Sequence, residues 1–240
     1  MNLDIFCCLA PNSAPYAQAL HKNLISLQSH KHNLRFWALI SDHDVDTSGY
    51  PKDWTIIHVR TERVKPIGVS KPSVNHAKLL NQIEHHIPDD SNVTIITDCD
   101  MFIFPHNWDE FICRKLWDNG LDCIGTEKHD GSLRMFFIAF PTFVYQTLQP
   151  DFMPGIEGNY ESVWAVNATK NQWRIVTDTG WRIEQLLIEN EKNYEKFELV
   201  DGDYYYGVQP FCSHLGGSHK KDFKSAEVKA WYENCKNQIY

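Results

Sequence analysis

Residues 92 to 104 read NVTIITDCDMFIF: an apolar run from Val93 to Ile96, two aspartates at 98 and 100, then Met101 to Phe104. A run this apolar predicts a strand buried on both faces, as found inside the parallel sheet of an α/β protein. Carboxylates are costly there unless they are paired or hold a metal. They fall where the strand should end, which is where open α/β sheets bind ligands. Something positive is expected to meet them.

The flanking sequence supports that sheet. LDIFCCLA (3–10), LRFWALIS (34–41) and WTIIHVR (54–60) read as strands. Between the first two, Tyr16, Leu20, Leu24 and Leu27 recur at helical spacing, with Ser13 placed to cap the helix before Pro15. In SVNHAKLLNQIEHHI, Val74, Ala77, Leu80, Ile83 and Ile87 form one helical stripe leading into the aspartate strand. The alternation is that of a doubly wound α/β half. It fades afterwards: DEFICRKLW predicts a short helix, MFFIAFPTFVYQTL a strand feeding a helix past Pro141, and RIVTDTGWRIEQLLIEN a strand turning into a helix.

Of 240 residues, 42% are hydrophobic and 22% charged, which fits a globular chain. The net charge of -8 argues against a broad grip on nucleic acid or anionic membrane, although HVRTERVKP (58–66) is a short basic patch. Seven cysteines with no C-x-x-C pair predict neither a disulfide framework nor a four-cysteine zinc site, and suit a reducing compartment. The N-terminal residues predict no signal peptide, and no stretch approaches the ~20 apolar residues of a membrane span. The expectation is a cytoplasmic protein.

In an extended segment Asp98 and Asp100 would leave on the same side, with Cα atoms about 6.6 Å apart, so both could reach one hard cation. Read blandly, they are turn aspartates. D-x-D at the end of such a strand resembles the metal-dependent glycosyltransferases of GT-A fold. The resemblance implies an α/β, Rossmann-like single domain over residues 1–240, with a central, mostly parallel sheet flanked by helices. Residues 1–104 would be the nucleotide-sugar-binding half and 105–240 the acceptor-binding half. It further implies that Asp98 contacts the ribose or the metal, Asp100 ligates the metal, and the ion is Mn2+ or Mg2+.

HLGGSHK (214–220) fits H-x-x-G-x-x-K and is similar to the C-terminal motif of glycosyltransferase family 8, although Lys221 and Asp222 stand where that family usually has Pro-Trp. By that likeness His214 completes the metal site, Gly217 lets the backbone approach the diphosphate and Lys220 neutralises it; a plain glycine turn is the alternative, and His219 reads as surface. SKPSVNHAKLLN (70–81) resembles the helix start that precedes the D-x-D strand in GT-A-like groups, with Lys71 and His76 at the donor or an ordinary serine cap. Asp178, in DTGW, is the implied acceptor base or sugar ligand, or else a helix cap. Leu9, Ala10, Pro11 and Asn12 should line the base and ribose, and Asp42 should bond one of them. Tyr204 to Tyr206 would wall the acceptor site or simply pack.

The sequence therefore predicts a glycosyltransferase that takes a nucleotide-sugar, a UDP-sugar, and passes the sugar to a glycan, protein, metabolite or modified DNA base, the last disfavoured by charge. The alternatives are a nucleotidyltransferase, though LAPNSAP is not the Gly-rich basic loop that class needs, or a non-catalytic nucleotide-sugar-binding module.

Overall fold

Two chain segments far apart in sequence meet at one sheet corner, and the topology explains how. In the computed structural model, residues 1–10, 12–41, 46–60, 71–129, 131–153, 179–180, 182–216 and 221–240 are described, with the backbone alone for 71–74. The strands are β1 (Asn2–Leu9), β2 (Asn33–Ser41), β3 (Trp54–Val59), β4 (Val93–Thr97), β5 (Met101–Ile103), β6 (Cys123–Glu127), β7 (Leu133–Pro141), β8 (Tyr194–Val200), β9 (Asp203–Tyr206) and β10 (Gln209–His214). The helices are α1 (Ala14–Leu27), α2 (Lys71–Leu80), α3 (Trp108–Cys113), α4 (Thr142–Leu148), α5 (Arg182–Glu189) and α6 (Ala226–Lys236). The strand order is β3-β2-β1-β4-β7-β6-β8-β9-β10-β5.

The α/β architecture matches expectation, but the sheet is mixed rather than mostly parallel. Parallel pairing joins β3, β2, β1 and β4, and recurs between β6 and β8. All other neighbours run antiparallel. Connection length accounts for much of this. A parallel pair needs a crossover of a dozen or so residues, whereas β8, β9 and β10 are linked by turns too short to reverse direction twice. Asp201 (φ 50) and Gly202 (φ 95) make the first of these turns, with the left-handed backbone that tight hairpins need.

β1 is buried on both faces, as its apolar run requires. Leu3, Ile5, Cys7 and Leu9 pack with Tyr16, Leu20, Leu24 and Leu27 of α1, while Phe6 points the other way toward Leu39, Ala77 and Leu80. Asp4, fully buried in the same strand, is matched by Arg35, whose Nε and Nη2 reach its two oxygens at 2.8 and 2.6 Å, and by Trp37 Nε1 at 2.8 Å. Arg35 also holds Asp90 at 2.6 Å.

β5 ends the strand order, so among the described residues one of its edges lacks a strand. Asn23 of α1 takes that place: its Oδ1 accepts the Ile103 N–H at 2.8 Å and its Nδ2 donates to the Ile103 carbonyl at 3.0 Å.

Some local expectations give way. Ser13 occupies the N-cap position of α1, but its hydroxyl makes no cap bond and accepts the Ala10 N–H instead, at 3.2 Å. The helix expected through residue 87 stops at Leu80 and resumes only as a 3-10 turn, Ile83–His86. Asn81 is diverted at the break, donating to Asp151 and accepting from the Phe152 N–H. The strand expected before α5, RIV, lies outside the described residues.

Candidate metal centre

NVTIITDCDMFIF is two strands rather than one. β4 closes at Thr97, the chain turns through Cys99 and Asp100, and β5 begins at Met101. The segment holding both carboxylates is therefore a turn, not the extended stretch expected. The turn lets β5 leave β4 and pair antiparallel with β10 in a register that sets His214 opposite Met101. The Leu215 N–H then donates to the Asp100 carbonyl at 3.1 Å, so His214 is held against the turn by backbone bonds on both sides of it.

The result is a tight group. His214 Nε2 lies 3.2 Å from Asp100 Oδ1 and 3.4 Å from Asp98 Oδ2. One ligand atom from each of the three side chains falls within 4.8 Å of the others, a spacing that can hold a metal ion. Asp100 is 4% exposed. Burial alone would lower the His214 pKa, but hydrogen bonds to the Asp100 and Asp98 carboxylates, and their charges, outweigh it and push the value up to about 10. The imidazolium thus occupies the electrostatic role a divalent cation would take. Two carboxylates and one imidazole also form a donor set that suits Mn2+ or Mg2+. The residues fit such an ion.

The location follows from topology. The chain lays β2 and β3 on one side of β1 and then returns to lay β4 on the other, which makes the β1–β4 boundary a switch in strand order. Cys7 pairs with Thr97, so the carboxyl ends of the two strands lie side by side and Asp98 follows directly. Ligands of open α/β sheets bind outside the strand ends at such a switch. Leu9 ends β1 and is buried; Ala10 follows, and Asn12 is exposed with φ 71. His76, one turn into α2 past Lys71, places its Nε2 3.7 Å from Asp98 Oδ1.

The structure thus brings together Asp98, Asp100, His214 and His76, with Leu9 and Ala10 at the neighbouring strand end. Pro11, Asp42, Asp178, Gly217, His219 and Lys220 lie outside the described residues, as does the side chain of Lys71. Gly180 (φ +75), two residues after Asp178 in the sequence, packs so closely on Met135 that a Cβ would meet its Cγ at 3.2 Å.

Two aromatic residues belong to the surroundings of the group. The Phe136 ring stacks on the His214 imidazole, and Tyr204, singled out in the sequence only as part of a tyrosine run, lies beside Phe136 with ring centroids 6.4 Å apart. Nothing in MFFIAF distinguished Phe136 from its neighbours. Tyr16 of α1 also senses the site: burial first, and then the Asp100 charge, push its pKa up to about 12.

No family model matches the sequence, and no curated protein matches it. Similar solved structures include the mannosyltransferase PcManGT from Pyrobaculum calidifontis, in complex with GDP-Man and Mn2+. It is 15% identical with a TM-score of 0.44, over 66% of this chain and 49% of that one. Another is the galactosyltransferase LgtC in complex with donor and acceptor sugar analogues, 12% identical with a TM-score of 0.42, over 60% of this chain and 59% of that one. The chain spans about half the length of the first and 59% of the second. At these scores the likeness carries no argument about this chain.

No helix among the described residues is long and apolar enough to cross a membrane.

Proposed function

We propose that this chain is a metal-dependent glycosyltransferase of GT-A type that uses a nucleotide-sugar, most simply a UDP-sugar, as donor. The observation that carries the reading is the convergence of Asp98, Asp100 and His214 at the strand-order switch. Asp98, Asp100 and His214 would hold Mn2+ or Mg2+, which when bound neutralises charge on a departing diphosphate. Around it, Leu9, Ala10, Asn12 and Asp42 hold the base and ribose. His76 orients Asp98 and contacts the donor. Lys220 and Lys71 offset the phosphate charge while Gly217 lets the backbone approach it. Asp178 takes the acceptor proton or binds the sugar.

A panel of UDP- and GDP-sugars, scored for release of free nucleoside diphosphate with and without Mn2+, tests the reading. Release is expected from at least one donor, and only with the cation. Full turnover in excess EDTA by metal-free protein would eliminate the metal role, and no release or binding of any donor would eliminate the transferase. Asp178→Asn should keep donor binding while transfer falls roughly 10²–10⁴-fold. A near-normal transfer rate would reduce Asp178 to a helix cap, a role Asn fills as well as Asp.

A further inference from the structure

Phe136 is the one position of β7 that is not buried. Its ring lies on the His214 imidazole with centroids 4.3 Å apart and planes 27° from parallel. Its backbone carbonyl accepts the Asp98 N–H at 2.9 Å. One residue therefore holds two members of the group, the first through its ring and the second through its main chain.

An irregularity of the sheet puts it there. Gly125 of β6 pairs with Ile138, but the next residue, Thr126, pairs with Arg134, so Met135, Phe136 and Phe137 have no partner on β6. Bulges of this kind re-aim side chains. Thr126 is fully buried in the gap, and its hydroxyl stands in for the missing strand bonds. It accepts the Phe137 N–H at 3.3 Å and can donate to the Arg134 carbonyl at 3.3 Å. Two backbone groups of the bulge are thus satisfied while the Phe136 ring turns toward His214.

We infer that Phe136 is a positioning residue for the cation centre, fixing the plane of His214 so that Nε2 points between Asp98 and Asp100. The terminal torsion of a histidine is broad and roughly two-fold, so contacts at one ring nitrogen leave the ring free to swing about them. An offset, nearly parallel aromatic neighbour removes that freedom. An aliphatic side chain of similar volume fills the space without fixing a plane. The inference rests on the metal reading of the site.

The test is Mn2+ binding to metal-free protein, followed by loss of the free-ion electron paramagnetic resonance signal, with thermal melts as the folding control. Phe136→Leu and Phe136→Met should each raise the Mn2+ Kd about tenfold, the lower end of what loss of a residue supporting a metal ligand costs. Phe136→Tyr keeps the ring and should bind as wild type does. Leu and Met variants with wild-type affinity would overturn the inference while leaving the metal site standing. A Tyr variant as weak as the Leu variant would also overturn it, because the ring would then not be what matters. Wild-type protein that takes up no Mn2+ would overturn the metal reading and this inference together.

Discussion

Two buried carboxylate centres lie at opposite ends of the same pair of parallel strands. At the amino end of β1, Asp4 is fully buried against the Arg35 guanidinium, which grips both of its oxygens, and the Trp37 indole. Past the carboxyl end of β4, Asp98 and Asp100 face the His214 imidazole. Asp4 and Asp100 are buried and Asp98 is half-buried, so each centre has to compensate buried negative charge. The cations differ in kind. A guanidinium is charged at every accessible pH and cannot be exchanged. An imidazolium lasts only while its proton stays, and the neutral ring it leaves behind is a metal ligand. The first centre is thereby committed to architecture, whereas the second can trade one cation for another.

The largest expected effect is at the exchangeable centre. Asp100→Asn keeps the size and removes the charge, so Mn2+ binding and nucleotide release should both fall to background in a protein that still folds, its melting temperature lowered by the lost His214 ion pair. A variant that still turns over donor normally would end the distinction.

Asp4→Asn should do the reverse. It leaves Arg35 facing a neutral group, and chemical denaturation should show a loss of about 2–3 kcal/mol, moderated because Arg35 is partly exposed and keeps Asp90. The Mn2+ affinity of the folded variant should not change. Weakened metal binding with intact stability would mean the two centres had been assigned the wrong way round.

The smallest effect is a proton count. The folded pKa of His214, about 10, lies above its ordinary 6.5. The stabilisation from its ion pairs is therefore complete below pH 6.5 and fades as pH rises through 10 in the metal-free protein. Metal ligation needs the neutral ring, so at pH 7 to 8 each cation bound should release about one proton, and affinity should rise with pH. Calorimetry in two buffers of different ionisation enthalpy measures the release. A count of zero would show that His214 does not exchange its proton for the metal.

Much of the first half was legible in the sequence because each element announces itself locally. β1, β2 and β3 are apolar runs, and α1 carries its stripe of Tyr16, Leu20, Leu24 and Leu27. The two aspartates were recognisable because burial makes charge conspicuous. The turn between them was not, because Met101 to Phe104 is as apolar as Val93 to Ile96 and nothing local says that β5 abandons β4 for β10. That choice is made by a long-range pairing only a few residues long. Asp201-Gly202 was a readable hairpin signal whose antiparallel consequence for the sheet was missed. The placement of Phe136 depends on the bulge opposite Thr126, and a strand pattern in sequence does not reveal where its register slips.

The side chain of Asn23 carries a planar amide with a donor and an acceptor, the same equipment as a peptide group. Set against Ile103, it imitates one rung of a missing neighbour. A bare strand at the end of a sheet is a template on which a second molecule can add, the first step toward uncontrolled polymerisation. Here a helix laid across that end supplies the rung from within, and the strand beneath it is only three residues long. Among the described residues, this edge is thus occupied at Ile103 without any charged or proline gatekeeper in β5 itself.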